Sequence, residues 1–166
     1  MNSENYPPYF HQYIEKVPAG DPLALLAEGM KESLRTLVLI NDDQANHRYE
    51  AGKWSIKEIV QHLIDTERIF CYRALSFARG EQKSLAAYDH EDYVQHSNAD
   101  YRGLKDLLEE WRTLRKSTVQ MFRSFSKNMM EHEGNANGLK IRVEQLMYVI
   151  IGHELHHIQV INTKYL

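Results

Sequence analysis

Apolar positions recur at three- and four-residue spacing along most of the chain, and no stretch alternates with the period of two that a half-buried strand requires. The first stripe, Leu23, Leu26, Ala27, Met30, Leu34, Leu37 and Val38, opens at Asp21-Pro22, an N-cap acceptor followed by the residue best suited to the first helical position. It is predicted to stop near Asn41-Asp42-Asp43. The second starts at Ser55-Ile56-Lys57-Glu58, a capping box, with Trp54 placed to staple onto Ile59. It carries Ile56, Ile59, Val60, Leu63, Phe70 and Ala74 and ends near Arg79-Gly80. A third, from about Asp100, repeats Leu104, Leu107, Leu108, Trp111, Leu114, Val119, Phe122 and Phe125. The fourth runs from about Ile141 to the C-terminus, after the turn-forming Asn135-Ala136-Asn137-Gly138.

A lone amphipathic helix is marginal until it buries its apolar face, so these stripes predict an all-α fold, a four-helix bundle. Short connections precede the second and fourth helices, whereas roughly twenty residues separate the second from the third. That is room for a long crossover connection, and a simple up-down-up-down order is not required. A length of 166 residues supports one core without disulfides, so residues 1–166 read as a single domain with residues 1–20 as an N-terminal extension.

Composition then removes several partners. The net charge of -3 comes from 20 Lys and Arg against 23 Asp and Glu, mixed along the chain, with no basic run to engage a phosphate backbone, so nucleic acid is not an expected partner. Cys71 is the single cysteine, the first twenty residues have neither a basic n-region nor an apolar h-region, and no apolar stretch reaches the roughly 18 residues of a membrane span. A reducing, cytoplasmic location away from the membrane is therefore expected. Nine histidines stand out in a chain of this length.

Helix geometry sorts them. At about 100° per residue, His153 and His157 fall about 40° apart within the arc of Val143, Leu146, Ile150 and Ile161, so both point into the bundle, whereas His156 lies toward the flank. Imidazoles one turn apart on an inward face can hold a metal together. The best third ligand is His62, at the edge of the second helix's apolar stripe, where a cleft between helices begins. The competing reading is that buried histidines merely bond a carbonyl or a carboxylate. His11, His47, His90, His96 and His132 fall in loops or termini and are expected to be solvated. Cys71, about 180° round from His62, is expected to be a small buried residue without a ligand role.

The segment Lys53-Trp54-Ser55-Ile56-Lys57-Glu58-Ile59-Val60-Gln61-His62-Leu63-Ile64-Asp65-Thr66-Glu67-Arg68, followed by Arg73-Ala74-Leu75, resembles the second helix of the DinB/YfiT-like superfamily. The closing Gly152-His153-Glu154-Leu155-His156-His157 and the terminal Tyr165-Leu166 resemble its fourth. The resemblance extends from about residue 22 onward. It implies a four-helix bundle with a long crossover, a homodimer, and one divalent metal held by a histidine of helix two and an H-x-x-x-H of helix four, which are His62, His153 and His157 here. Where relatives often start the fourth helix with a Ser or Thr cap, this chain has Lys140-Ile141-Arg142-Val143.

Imidazoles from three residues leave open coordination positions, the arrangement of a catalytic site, and a divalent ion activates a thiol or water near neutral pH. Imidazole alone does not separate zinc, nickel, copper and iron; zinc or nickel is the expectation carried forward. His153-Glu154-Leu155-His156-His157 also satisfies H-E-x-x-H, but proteases of that pattern bind peptide along a sheet edge and no sheet is predicted. Glu154, about 60° from His157, is the candidate catalytic base; Thr66 is a candidate neighbour of the site, and Glu67 is expected to form an ion pair with an arginine of an adjoining helix. The pocket is expected to be lined from helices one and three and the crossover, with Tyr88, Tyr93, Tyr101 and Trp111 as an aromatic rim.

Three readings stay open. One is a metal-dependent enzyme, a thiol S-transferase or a hydrolase, acting on a small-molecule substrate with a low-molecular-weight thiol as possible co-substrate. Another is a non-catalytic metal-binding stress-response protein. The last is a structural dimer whose histidines are core residues.

Overall fold

The computed structural model describes residues 2–166. A short helix α1 (His11–Ile14) precedes α2 (Pro22–Leu37), one-turn α3 (Asp42–Asn46), α4 (Ile56–Ala78), α5 (His90–Gln95), α6 (Leu104–Arg123) and α7 (Lys127–Glu131). A hairpin of β1 (Glu133–Ala136) and β2 (Leu139–Arg142) then leads into α8 (Val143–Lys164). The four long helices α2, α4, α6 and α8 form the bundle: α2 packs on α6 and α8, and so does α4, which sets the consecutive helices α2 and α4 across a diagonal. The crossover between α4 and α6 makes that order possible. No described helix is long and apolar enough to cross a membrane.

The helix starts follow local chemistry. Asp21 accepts the Ala24 N–H at 2.9 Å with Pro22 in the first turn, and Ser55 and Glu58 close their capping box. Two boundaries differ from the sequence expectation. Asn41 starts α3, exchanging bonds with Gln44, so Asn41-Asp42-Asp43 is a fresh helix start beyond the end of α2. The third long helix begins at Leu104, not Asp100, and because Gly103 has no side chain to offer, Asp42 of α3 caps it by accepting the Leu104 N–H at 2.8 Å.

The hairpin corrects the expectation of a chain without strands. Asn137 and Gly138 both take positive φ, 54° and 74°, the paired left-handed geometry of a two-residue hairpin loop, with Ala136 opposite Leu139 and Gly134 opposite Ile141. The hairpin docks on α4 through Gly134, whose Cα lies against the Phe77 ring, and Leu85 of the crossover joins it by bonding to Asn135 and Asn137.

The N-terminal extension is part of the core. Tyr6, Phe10, Tyr13, Ile14 and Val17 are buried, and α1 lies on α8. Contact this close needs Gly152: a Cβ there would come within 2.3 Å of the Tyr13 carbonyl oxygen.

At the centre, Arg115 of α6 is fully buried and satisfied from every side. Its Nε and Nη2 donate to the two oxygens of Glu67 on α4, each at 2.8 Å, and its Nη1 donates to Glu154 Oε2 of α8 at 2.6 Å and to the Leu26 carbonyl of α2 at 2.9 Å. Trp111 and Thr118 donate to Glu67 at 3.1 and 2.7 Å, and Ser33 of α2 donates to Glu154 Oε1 at 2.6 Å. Burial alone would lower the Arg115 pKa, and the carboxylates of Glu154 and Glu67 more than reverse it, holding the guanidinium firmly charged. Glu67 thus has the arginine partner that its place on the apolar arc requires.

Arg115→Met keeps the apolar stem but strands two buried carboxylates, which is expected to destabilise the protein by about 3–5 kcal/mol in urea unfolding. A loss within 1 kcal/mol or so would mean that the network is not a structural keystone. Gly152→Ala is expected to lever α1 off α8, so that limited proteolysis removes the N-terminal segment early while the bundle persists; an unchanged digestion pattern would contradict the close packing.

Candidate metal centre

His62 reaches the site from the middle of α4, and His153 and His157 reach it from successive turns of α8, the bundle neighbour of α4. Their Nε2 atoms converge: His62 to His153 is 3.0 Å and His153 to His157 is 3.1 Å. Among the described residues this is the one cluster of His, Cys, Asp or Glu whose ligand atoms come close enough to share a metal ion. His62 is more deeply placed than a stripe-edge position suggests, at 5% exposure, because Trp54 lies over its ring at 4.8 Å.

The cluster cannot be satisfied as hydrogen bonds alone. Each neutral imidazole nitrogen carries either a proton or a lone pair, so the central His153 Nε2 can serve His62 or His157 but not both. A cation accepting a lone pair from each ring resolves the conflict. Tetrahedral ligands at about 2.0–2.1 Å from a metal stand roughly 3.3 Å apart, a few tenths beyond the His62–His153 and His153–His157 separations, and all the ligand atoms lie within 4.8 Å of one another. The donor set therefore fits a divalent ion.

Burial keeps the rings in the required form. Desolvation, with a smaller contribution from His90, pushes His62 down to about 3, and both His153 and His157 fall well below the ordinary histidine value through desolvation, aided by His157 and His62 for His153 and by His62 and His156 for His157. All are neutral lone-pair donors at pH 7. Thr66 Oγ1 lies 3.4 Å from His62 Nδ1 and 2.8 Å from the Tyr88 hydroxyl, which places Thr66 beside the site as expected. The edges of Tyr13 and Phe70 pack on His153, and Trp54 stacks over His157. The Tyr165 hydroxyl, at the end of the chain, donates to the Trp54 carbonyl and holds that cover in place.

Glu154 sits elsewhere than a base would. One oxygen is bound by Arg115 and the other by Ser33, so the carboxylate faces the buried ion network behind His153. His156 turns away, edge-on to Tyr13, and stays out of the cluster. Burial pushes the Cys71 thiol up to about 12, and its Sγ faces Thr118 at 3.3 Å, which leaves it unreactive.

Other expectations need correction. His90 is not a solvated loop residue but half-buried at the N-terminus of α5, with its ring 5.8 Å from that of His62. His11 and His132 are also half-buried, bonding the carbonyls of Tyr6 and Phe77, whereas His47 and His96 are exposed. Of the expected aromatic rim, Tyr88 lines the site and Tyr93 packs on it, but Tyr101 points outward and Trp111 is fully buried in the ion network.

The histidines open into a small cavity of about 80 Å³ walled by Tyr9, Tyr13, Trp54, Phe70, Tyr88 and His90. A larger cavity of about 210 Å³ shares Tyr9, Phe70, Tyr88 and His90 with it and continues between Phe10, Arg73 and the hairpin residues Leu139 and Ile141. Its walls come from the N-terminal segment, α4, the crossover and the hairpin, with α8 adding Leu146; helices one and three of the sequence expectation do not contribute. Local sequence signalled the hairpin through Asn137-Gly138, but only the fold brings residues 9–10 to the site.

Comparison with known proteins supports the same architecture. YfiT from Bacillus subtilis, described as a probable metal-dependent hydrolase with an unusual four-helix bundle topology, superposes with a TM-score of 0.78 at 17% identity, covering 88% of this chain and 89% of that one. A mycothiol-dependent maleylpyruvate isomerase superposes with a TM-score of 0.68 at 13% identity, covering 92% of this chain and 62% of the isomerase. No curated protein sequence matches. The DinB superfamily model matches residues 25–161, the span that contains His62, His153 and His157 and the ion network behind them, and the chain belongs to the DinB superfamily.

Proposed function

We propose that this protein is a metal-dependent enzyme in which His62, His153 and His157 hold one divalent ion, zinc or nickel, and that it acts on a small molecule by thiol transfer or hydrolysis. The observation that carries this reading is the convergence of neutral Nε2 atoms that hydrogen bonding cannot satisfy together. A divalent ion held by imidazoles alone supplies Lewis acidity that lowers the pKa of a thiol or water.

The chain's own residues account for the rest. Trp54, Tyr13 and Phe70 exclude bulk water from the rings, Thr66 faces His62 Nδ1 and so favours Nε2 as the ligand atom, and Arg115 fixes the α8 backbone through Glu154, the residue after His153. In this account Glu154 positions a ligand and is not the base. The excess of one carboxylate over the guanidinium in the network behind His153 also favours a cation at the site. The adjoining cavity supports an enzyme over a metal-binding protein without turnover, because a storage site needs no room for a substrate. The isomerase's dependence on mycothiol supports a thiol as co-substrate, and the description of YfiT supports water as the alternative nucleophile.

Untagged protein and His157→Ala, each dialysed against trace divalent metals, are to be compared by elemental mass spectrometry. About one equivalent is expected in the parent and almost none in the variant, with matching circular dichroism. Background metal in both would remove the metal reading and the enzyme reading with it.

A further inference from the structure

Two buried cations lie outside the site described above, and of these Lys57 pairs with Asp42 whereas Arg73 meets no carboxylate among the described residues. Arg73 follows His62 on α4 by about three turns and points only about 20° away from it, so it faces the same cleft further along the helix. It is 8% exposed, and it lines the 210 Å³ cavity. Its one hydrogen bond runs from Nη2 to the Ala86 carbonyl at 3.0 Å. Among the described residues no fully buried side-chain nitrogen lacks a partner, so the guanidinium nitrogens outside that bond keep accessible surface, in a residue that lines the cavity.

The contrast with Arg115 is informative. Arg115 meets two carboxylates, whereas Arg73 pairs with none among the described residues and is flanked instead by the rings of Phe70 and Tyr88, 6.0 and 5.9 Å from Cζ. Burial draws its pKa down, with only Tyr88 acting in the opposite direction, yet an arginine remains charged. A buried charge without a counterion is costly, and a cleft that keeps one is built for an anion.

The other walls define that anion. Phe10, Phe70, Leu139, Ile141 and Leu146 are apolar, Tyr9, Tyr88, His90 and Asn137 add polar atoms, and no lysine, second arginine or acid lines the cavity. A single guanidinium matches the single charge of a carboxylate better than a phosphate dianion. The volume exceeds the roughly 150 Å³ of an apolar cavity known to take a benzene ring. The Phe70 ring borders both ends, 6.0 Å from Arg73 Cζ and 6.3 Å from the ring of His153.

We propose that Arg73 anchors the carboxylate of an elongated, largely apolar small molecule whose other end reaches the three-histidine cluster. The far end of the molecule rests on the function proposed above; the anchoring at Arg73 stands without it.

The test is calorimetric titration of hexanoate and its uncharged analogue hexanamide into the full chain, both zinc-loaded and stripped with EDTA. Hexanoate is expected to bind about tenfold or more tightly than hexanamide in both forms, the gain of a charge-assisted hydrogen bond. Arg73→Met is expected to bring hexanoate to the hexanamide level, and Arg73→Lys to retain part of the preference, with melting curves showing that each variant folds. Should Arg73→Met fail to fold, the parent's acid-to-amide ratio and Arg73→Lys still decide. Equal affinity for acid and amide, an acid preference that survives Arg73→Met, a preference confined to the zinc-loaded form, or no binding of either compound would each overturn the proposal. An acid preference in a protein that binds no metal would sustain the anchor while removing the metal reading.

Discussion

The guanidinium of Arg115 is where the long helices of the bundle meet, and most of the site's geometry depends on that meeting. It comes from α6, takes both oxygens of Glu67 on α4, one oxygen of Glu154 on α8 and a carbonyl of α2. Buried ion networks are not economical sources of stability compared with apolar packing, but breaking one leaves stranded charge, so they impose register. Here the register matters because Glu67 and His62 share α4, Glu154 adjoins His153 on α8, and one rigid cross-link sets the relation between the helices that carry the three histidines.

From that constraint the chemistry of the site follows in order. Helices α4 and α8 pack side by side, which brings His62 against the i,i+4 pair of α8 in a shell of Trp54, Tyr13 and Phe70. The shell desolvates the rings, desolvation keeps them neutral, and neutral rings with converging nitrogens cannot all pair with one another. The N-terminal segment completes the enclosure because Gly152 lets α1 lie directly on α8 and sets Tyr13 between His153 and His156.

Much of this was legible in the sequence, for reasons that are local. The 3.6-residue stripes and the caps at Asp21 and Ser55 identify long helices, the i,i+4 spacing of His153 and His157 puts both inward, and a carboxylate on the apolar arc at Glu67 demands a cation. What escaped depends on residues far apart in the chain. Arg115 is the exception, a local signal passed over: at about 100° per residue it falls about 20° from Leu104, Leu108 and Phe122, on the apolar arc of its helix. The cap of α6 comes from Asp42, sixty-two positions earlier. Glu154 looks available beside His157 until Arg115 and Ser33 claim it. The hairpin did have a signal, Asn137-Gly138, but its strands of four residues are too short to show alternation against helical neighbours.

The central claim is that these histidines, and no sulfur or carboxylate, are the protein's ligands to a divalent ion. X-ray absorption at the zinc edge of the loaded protein tests it most directly. The account predicts light scatterers at about 2.0–2.1 Å with the outer-shell pattern of about three imidazoles. A sulfur shell at about 2.3 Å, or an imidazole pattern of only one ring, would contradict it.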